Sequence, residues 1–151
     1  ASALQEAVAS GPIRDQADEV SAMLADPDRT RCVMVTLAED TPVTETIELA
    51  YDLEDRLGLA LAPVVVNACW PDRPAFTVTA ATAAKRQGVT VPAAARRALD
   101  DTTAYLRDRL GVQRVQLERL ARELPVPQVH LPRLPVARLA PAHLDILAGA
   151  L

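Results

Sequence analysis

Glycine is scarce in this 151-residue chain, and its five positions, Gly11, Gly58, Gly88, Gly111 and Gly149, are scattered. No segment reads GxxxxGK[ST] and no glycine-rich loop is available to cradle phosphates, so the chain has no means of hydrolysing a nucleotide by P-loop chemistry on its own. Cysteine is scarcer still. Cys32 and Cys69 lie far apart without CxxC spacing, which argues against a structural zinc site, and no other metal site is expected. Both read as reduced thiols packed as small hydrophobes; the other reading is metal or metalloid ligation, with Cys69 beside Trp70 placed to be exposed at a site. Apolar runs fall short of the roughly 18 residues of a membrane span, and no signal-peptide pattern opens the chain. A cytoplasmic protein without direct membrane insertion is therefore expected. Basic residues (16) are outnumbered by acidic ones (20), and the formal charge of −4 gives no electrostatic ground for nucleic acid or anionic membrane as the main partner. Lys85 is the only lysine, a bias that together with abundant alanine fits genomic base composition better than mechanism.

What is present is most informative between Arg31 and Asp72, which reads as strand, loop, amphipathic helix and second strand. The two strands, residues 32–37 and 63–67, are short apolar and β-branched runs without alternation, the pattern of a parallel sheet covered on both faces. In open α/β sheets ligands sit beyond the carboxyl ends of the strands, which places residues 39–41 and 67–70 at the candidate site. Thr41 followed by Pro42 reads as the cap and first position of the intervening helix, and Gly58 as its stop. Ile47, Leu49, Ala50, Leu53 and Leu57 form its apolar band. The acidic side, Glu48, Asp52, Glu54 and Asp55, reads as a solvated face in preference to a catalytic carboxylate cluster, since carboxylates are mostly surface residues.

The chain is long enough for one domain burying roughly 70% of its unfolded surface. It divides into a helical lead-in (residues 1–30), the strand-helix-strand unit (31–68), a loop and long helical segment (69–124) and a closing strand, loop and helix (125–151). In the lead-in, residues 2–9 and 15–24 read as helices separated by Gly11-Pro12, and Asp26-Pro27-Asp28 ends the second. Residues 75–87 are ambiguous between helix and irregular structure. From residue 93 to 124 leucines recur at three- and four-residue steps, with Gly111 a point where the helix bends or divides in two. Residues 128–131 form a short strand, followed by a loop stiffened by Pro132 and Pro135 and a final helix. That loop reads either as a stiff wall for a flat ligand or as prolines that simply end a strand. Asn67, at a strand end, offers an acceptor and two donors to a ligand edge, or serves as a turn residue.

Four segments, MLADPDRTRCVMVTLAED, PVTETIEL, the VVVN strand end and LPRLPVARL, together resemble the carboxyl-terminal half of the arsenical-pump-driving, anion-transporting ATPases, whose eukaryotic relatives carry tail-anchored proteins to the membrane. The resemblance implies an α/β fold with a mostly parallel sheet flanked by helices, P-loop NTPase-like but lacking the P-loop half. It implies that Asn67 and a proline-containing loop at Pro132 and Leu134 contact the adenine of ATP, that Glu39 senses or positions the nucleotide, and that Glu45 with Thr46 belongs to the family's Glu-Thr pair. No catalytic residue is expected within this chain. Phosphate and magnesium binding would lie in upstream sequence of a bacterial parent, the chain being its carboxyl-terminal part. A homo- or heterodimer with another ATPase subunit and a membrane-protein partner or cargo are also implied. The sequence departs from the family at Ile47-Glu48-Leu49, where an arginine is common, at Ala137, often an acid, and in lacking the paired zinc cysteines of some members. The alternative is a non-catalytic regulatory or scaffold subunit with a decayed ATPase fold. An isolated fragment of such a sheet would expose apolar surface and self-associate.

Overall fold

The structure is a computed structural model that describes residues 11–150. The reading of a helix over residues 2–9 lies outside them. Elements follow the order α1 (Pro12–Ala25), β1 (Val35–Leu37), α2 (Asp40–Tyr51) continued by a π-helical turn (Asp52–Arg56), β2 (Val64–Cys69), a 3-10 turn (Pro74–Thr77), α3 (Ala80–Gln87), α4 (Ala93–Glu123), β3 (Gln128–Pro132) and α5 (Pro141–Ala148). The fold is mixed α/β: three parallel strands in the order β1-β2-β3, flanked by helices.

Alternation along the strands decides how the sheet packs. Met34, Thr36, Val64 and Val66 are buried, and with Val43, Ile47 and Ala50 of α2 and Leu120 and Leu124 from the end of α4 they form the core. Register pairs Val35 with Val65 and Val65 with Val129 on the opposite face. There Val33 is 57% and Val35 65% exposed, and Val65 and Val129 are half-buried. The expectation of a sheet covered on both faces is therefore corrected: among the described residues α2 and α4 cover one face, and a continuous β-branched run does not reveal which face lacks a helix.

The first strand is shorter than read. Cys32 meets Leu61 through an isolated bridge, exchanging bonds with Ala60 and Ala62, and regular pairing begins at Val35. The second extends past Asn67 to Cys69, and Cys69 is a buried free thiol, as first read, donating to Val66 O at 3.4 Å, whereas the alternative that placed it exposed beside Trp70 is not met.

Helix α2 begins at Asp40, one residue ahead of the Thr41 cap that was expected. Glu39 occupies the cap position without a side-chain capping bond to the helix, and Thr41 lies in the first turn. The buried stripe is Val43, Thr46, Ile47 and Ala50, at the i, i+3, i+4, i+7 spacing of one helical face. Leu49 points away from it, and Leu57 lies beyond the π-helical turn; both are exposed. The acidic residues Glu48, Asp52, Glu54 and Asp55 are exposed, as read. Gly58 stops the segment at a left-handed φ of 64° that favours glycine.

Residues 75–87, ambiguous in sequence, resolve into the 3-10 turn and α3. Thr79 caps α3 by accepting from Thr82 N–H at 3.2 Å, and Gly88 closes it at φ 64°. Helix α4 runs unbroken through Gly111 for 31 residues. Its carboxyl-terminal part supplies the core, whereas Leu99 and Tyr105 are exposed. Of the described residues, no helix is long and apolar enough to cross a membrane.

Candidate functional site

The parallel arrangement directs the ends of all three strands to one side of the molecule, and β2 is distorted there. Pairing between β2 and β3 is regular from Val64 to Val66 and then shifts, so that Cys69 rather than Ala68 aligns with Pro132. Ala68 absorbs the irregularity at φ 55°, the only described non-glycine residue with positive φ. An alanine in that conformation is strained by about 1–2 kcal/mol, and bulges of this kind re-aim the neighbouring side chain. Asn67 is the side chain affected: it is exposed, and its Oδ1 accepts from Ala68 N–H at 2.8 Å. That bond fixes the carboxamide, leaving both Nδ2 hydrogens and one acceptor lone pair for a ligand.

Three of the four expected site residues come together. Asn67, Pro132 and Leu134 line one cleft of about 310 Å³, closed by Leu139 and by Leu147 of α5. The fourth, Glu39, stands in an adjoining smaller cleft of about 50 Å³ with Asn67, Ala68 and Arg133. Glu45 is apart from both; with Thr46 and Leu49 it lines a groove of about 330 Å³ along β1, which Asn67 also reaches. Asn67 thus stands where three depressions meet. Pro132 ends β3 and also forms part of the cleft wall, whereas Pro135 is exposed and does not line that cleft.

Helix α4 holds this end of the sheet through a polar stripe that sequence reasoning did not single out. Arg109 forms an ion pair with Glu39. Gln113 grips Trp70 at both backbone groups, its Oε1 accepting from Trp70 N–H at 2.7 Å and its Nε2 donating to Trp70 O at 3.1 Å. Further along, Gln116 donates to Asp40 at 3.4 Å, and Arg119 donates to Asp40 at 3.2 Å and to Thr44 at 3.0 Å. The spacing 109, 113, 116, 119 marks one helical face, but nothing in the sequence says that this face meets strand-end loops instead of solvent. Arg133 completes the surroundings, its guanidinium carbon 4.4 Å from the centroid of the Trp70 ring.

Burial pushes the Cys69 thiol up from its ordinary range, so it stands protonated and unreactive at neutral pH. Glu123 on α4 is held below the usual carboxylate range chiefly by the Arg122 hydrogen bond, with help from Arg119. Among the described residues no group of three or more His, Cys, Asp or Glu side chains is placed to hold a metal ion. Comparison with protein-family models and with curated proteins gives no match to this chain.

Proposed function

We propose that this chain binds an adenine nucleotide, ATP or ADP, at the carboxyl ends of β2 and β3, as the adenine-contacting part of an anion-transporting, arsenical-pump-type ATPase. The observation that carries the reading is the convergence of Asn67, Pro132 and Leu134 on one cleft. Asn67 is remote in sequence from Pro132 and Leu134, and the family resemblance implies adenine contact for all three. The cleft lies in the size range of small-molecule sites and combines apolar walls, Pro132, Leu134, Leu139 and Leu147, with one oriented amide. An apolar slot suits the faces of a purine, and Asn67 Nδ2 suits a ring nitrogen at its edge. Location supports the same reading, since it is beyond the strand ends that α/β sheets bind ligands. In this proposal the sheet is part of a P-loop NTPase-like fold, and the phosphate loop, magnesium ligands and catalytic groups belong to sequence outside this chain. Dimerisation with another ATPase subunit and a membrane-protein partner or cargo are part of the same proposal. Hydrolysis in the assembled enzyme would rest on positioning and charge rather than on covalent chemistry.

A second reading, a regulatory or scaffold subunit, is favoured by the exposed amino-terminal half of α4, where Leu99 and Tyr105 pack on nothing in the core. Calorimetry separates the two. The chain is titrated with ATP and with ADP, then again as Asn67→Ala, whose exposed side chain can be removed without opening the core. Binding that weakens about tenfold in the variant, at unchanged melting temperature, is expected. Equal affinity in wild type and variant removes Asn67 from the site.

A further inference from the structure

The small cleft beside Asn67 has a charge that the base cleft does not explain. Two guanidiniums, Arg109 and Arg133, line it against one carboxylate, Glu39, so it holds an excess of one positive charge on a chain whose formal charge is −4. Arg109 is engaged with Glu39, although its Nε is buried without a hydrogen-bond partner. Arg133 has no carboxylate within ion-pair distance among the described residues, and its guanidinium carbon lies over the Trp70 ring, 4.4 Å from the centroid. Trp70 in turn is clamped by Gln113 at both its N–H and its carbonyl.

Arg133 is exposed, its guanidinium held over the indole, and its fork of donors matches a phosphate. The cleft, about 50 Å³, has room for one compact polar group and adjoins the base cleft through Asn67, Ala68 and Arg133, which line both. We propose that it takes the ribose-proximal phosphate of a nucleotide, with Arg133 as the charged contact and Trp70 and Gln113 as the residues that position it. This rests on the nucleotide reading of the neighbouring cleft and deepens it: the ligand is a nucleotide and not a nucleoside. The Glu39 carboxylate faces the same cleft, and its pairing with Arg109 is what keeps it from repelling the phosphate.

The test compares adenosine with AMP, which differ by that one phosphate, titrated into the full chain by calorimetry at low salt. AMP should bind about tenfold more tightly, a difference of about 1.4 kcal/mol. In Arg133→Gln the preference should fall to about one, and Arg133→Lys, which keeps the charge but not the fork, should restore part of it. Glu39→Gln frees Arg109 and should raise the preference, a gain that misfolding cannot produce. Equal affinity for adenosine and AMP, or a preference that survives Arg133→Gln, overturns the inference while leaving the base site standing. Binding of neither compound overturns both.

Discussion

Replacing Gln113 with leucine isolates the tie between α4 and the strand-end loop. The side chain makes two hydrogen bonds to Trp70, at 2.7 and 3.1 Å, and leucine of similar length keeps the packing while removing both. A neutral hydrogen bond contributes about 0.5–1.5 kcal/mol, and leaving its partner unpaired in a buried place costs more. Trp70 and Gln113 are both half-buried, so water can reach part of the vacated N–H and carbonyl. The expected loss is therefore about 1–2 kcal/mol in total, which for a domain of this size lowers the melting temperature by about 3–6 °C. Thermal unfolding followed by far-ultraviolet circular dichroism measures it. Gln113→Glu gives the sign check: a carboxylate can still accept from Trp70 N–H but places negative charge against Trp70 O, so it should not recover the wild-type melting temperature. A Gln113→Leu protein that melts with wild type would show that the clamp contributes nothing, and the positioning of Trp70 would lose its basis.

Leu120 is fully buried in the core between α2, α4 and the sheet, and Leu120→Ala should destabilise the fold by about 2–5 kcal/mol in urea unfolding; a loss below 1 kcal/mol would mean that α4 does not pack as described. Ala68→Gly should raise stability by about 1 kcal/mol, against the usual cost of glycine in a strand, because only glycine is unstrained at φ 55°; a drop in melting temperature would contradict the bulge. The Cys69 thiol is pushed up by burial, so its contribution to stability is complete below the ordinary thiol range and is lost as pH rises through it toward the folded value. Cys69→Ala should therefore flatten the alkaline fall of stability, and at pH 8 Cys32 should react with a thiol reagent faster than Cys69; equal rates would contradict the burial.

The parts legible in the sequence were those whose signal is local. The apolar run before Asn67 marked β2, although the strand continues to Cys69, and the helix expected to close the chain is α5. The coverage of the sheet was not legible, because Val33 and Val35 look the same in sequence whether a helix lies over them or not. The outward turn of Leu57 was hidden by the π-helical turn, which breaks the 3.6-residue period at Asp52, whereas Leu49, two residues after Ile47, lies off the face that Val43, Ile47 and Ala50 share. Gly111 failed to divide α4 because one glycine costs only about 1 kcal/mol in a helix anchored at its far end by Leu120 and Leu124. At the strand ends, the grouping of Asn67 with Pro132 and Leu134 was expected through a resemblance of motifs, and the three do line one cleft. Arg109, Gln113 and Arg133 were missed because their partners, Glu39 and Trp70, are distant in sequence and ion pairs across such distances leave no spacing to read.

The base cleft is tested most directly by nuclear magnetic resonance of the isotope-labelled chain titrated with ATP. The account predicts saturable shifts concentrated on the Asn67 side-chain amide, Ala68 N–H and the Leu134 methyls, with contacts from the adenine ring protons to Leu134. Shifts centred instead on the separate groove between Phe76 and Arg114, or none at millimolar ATP, would contradict it.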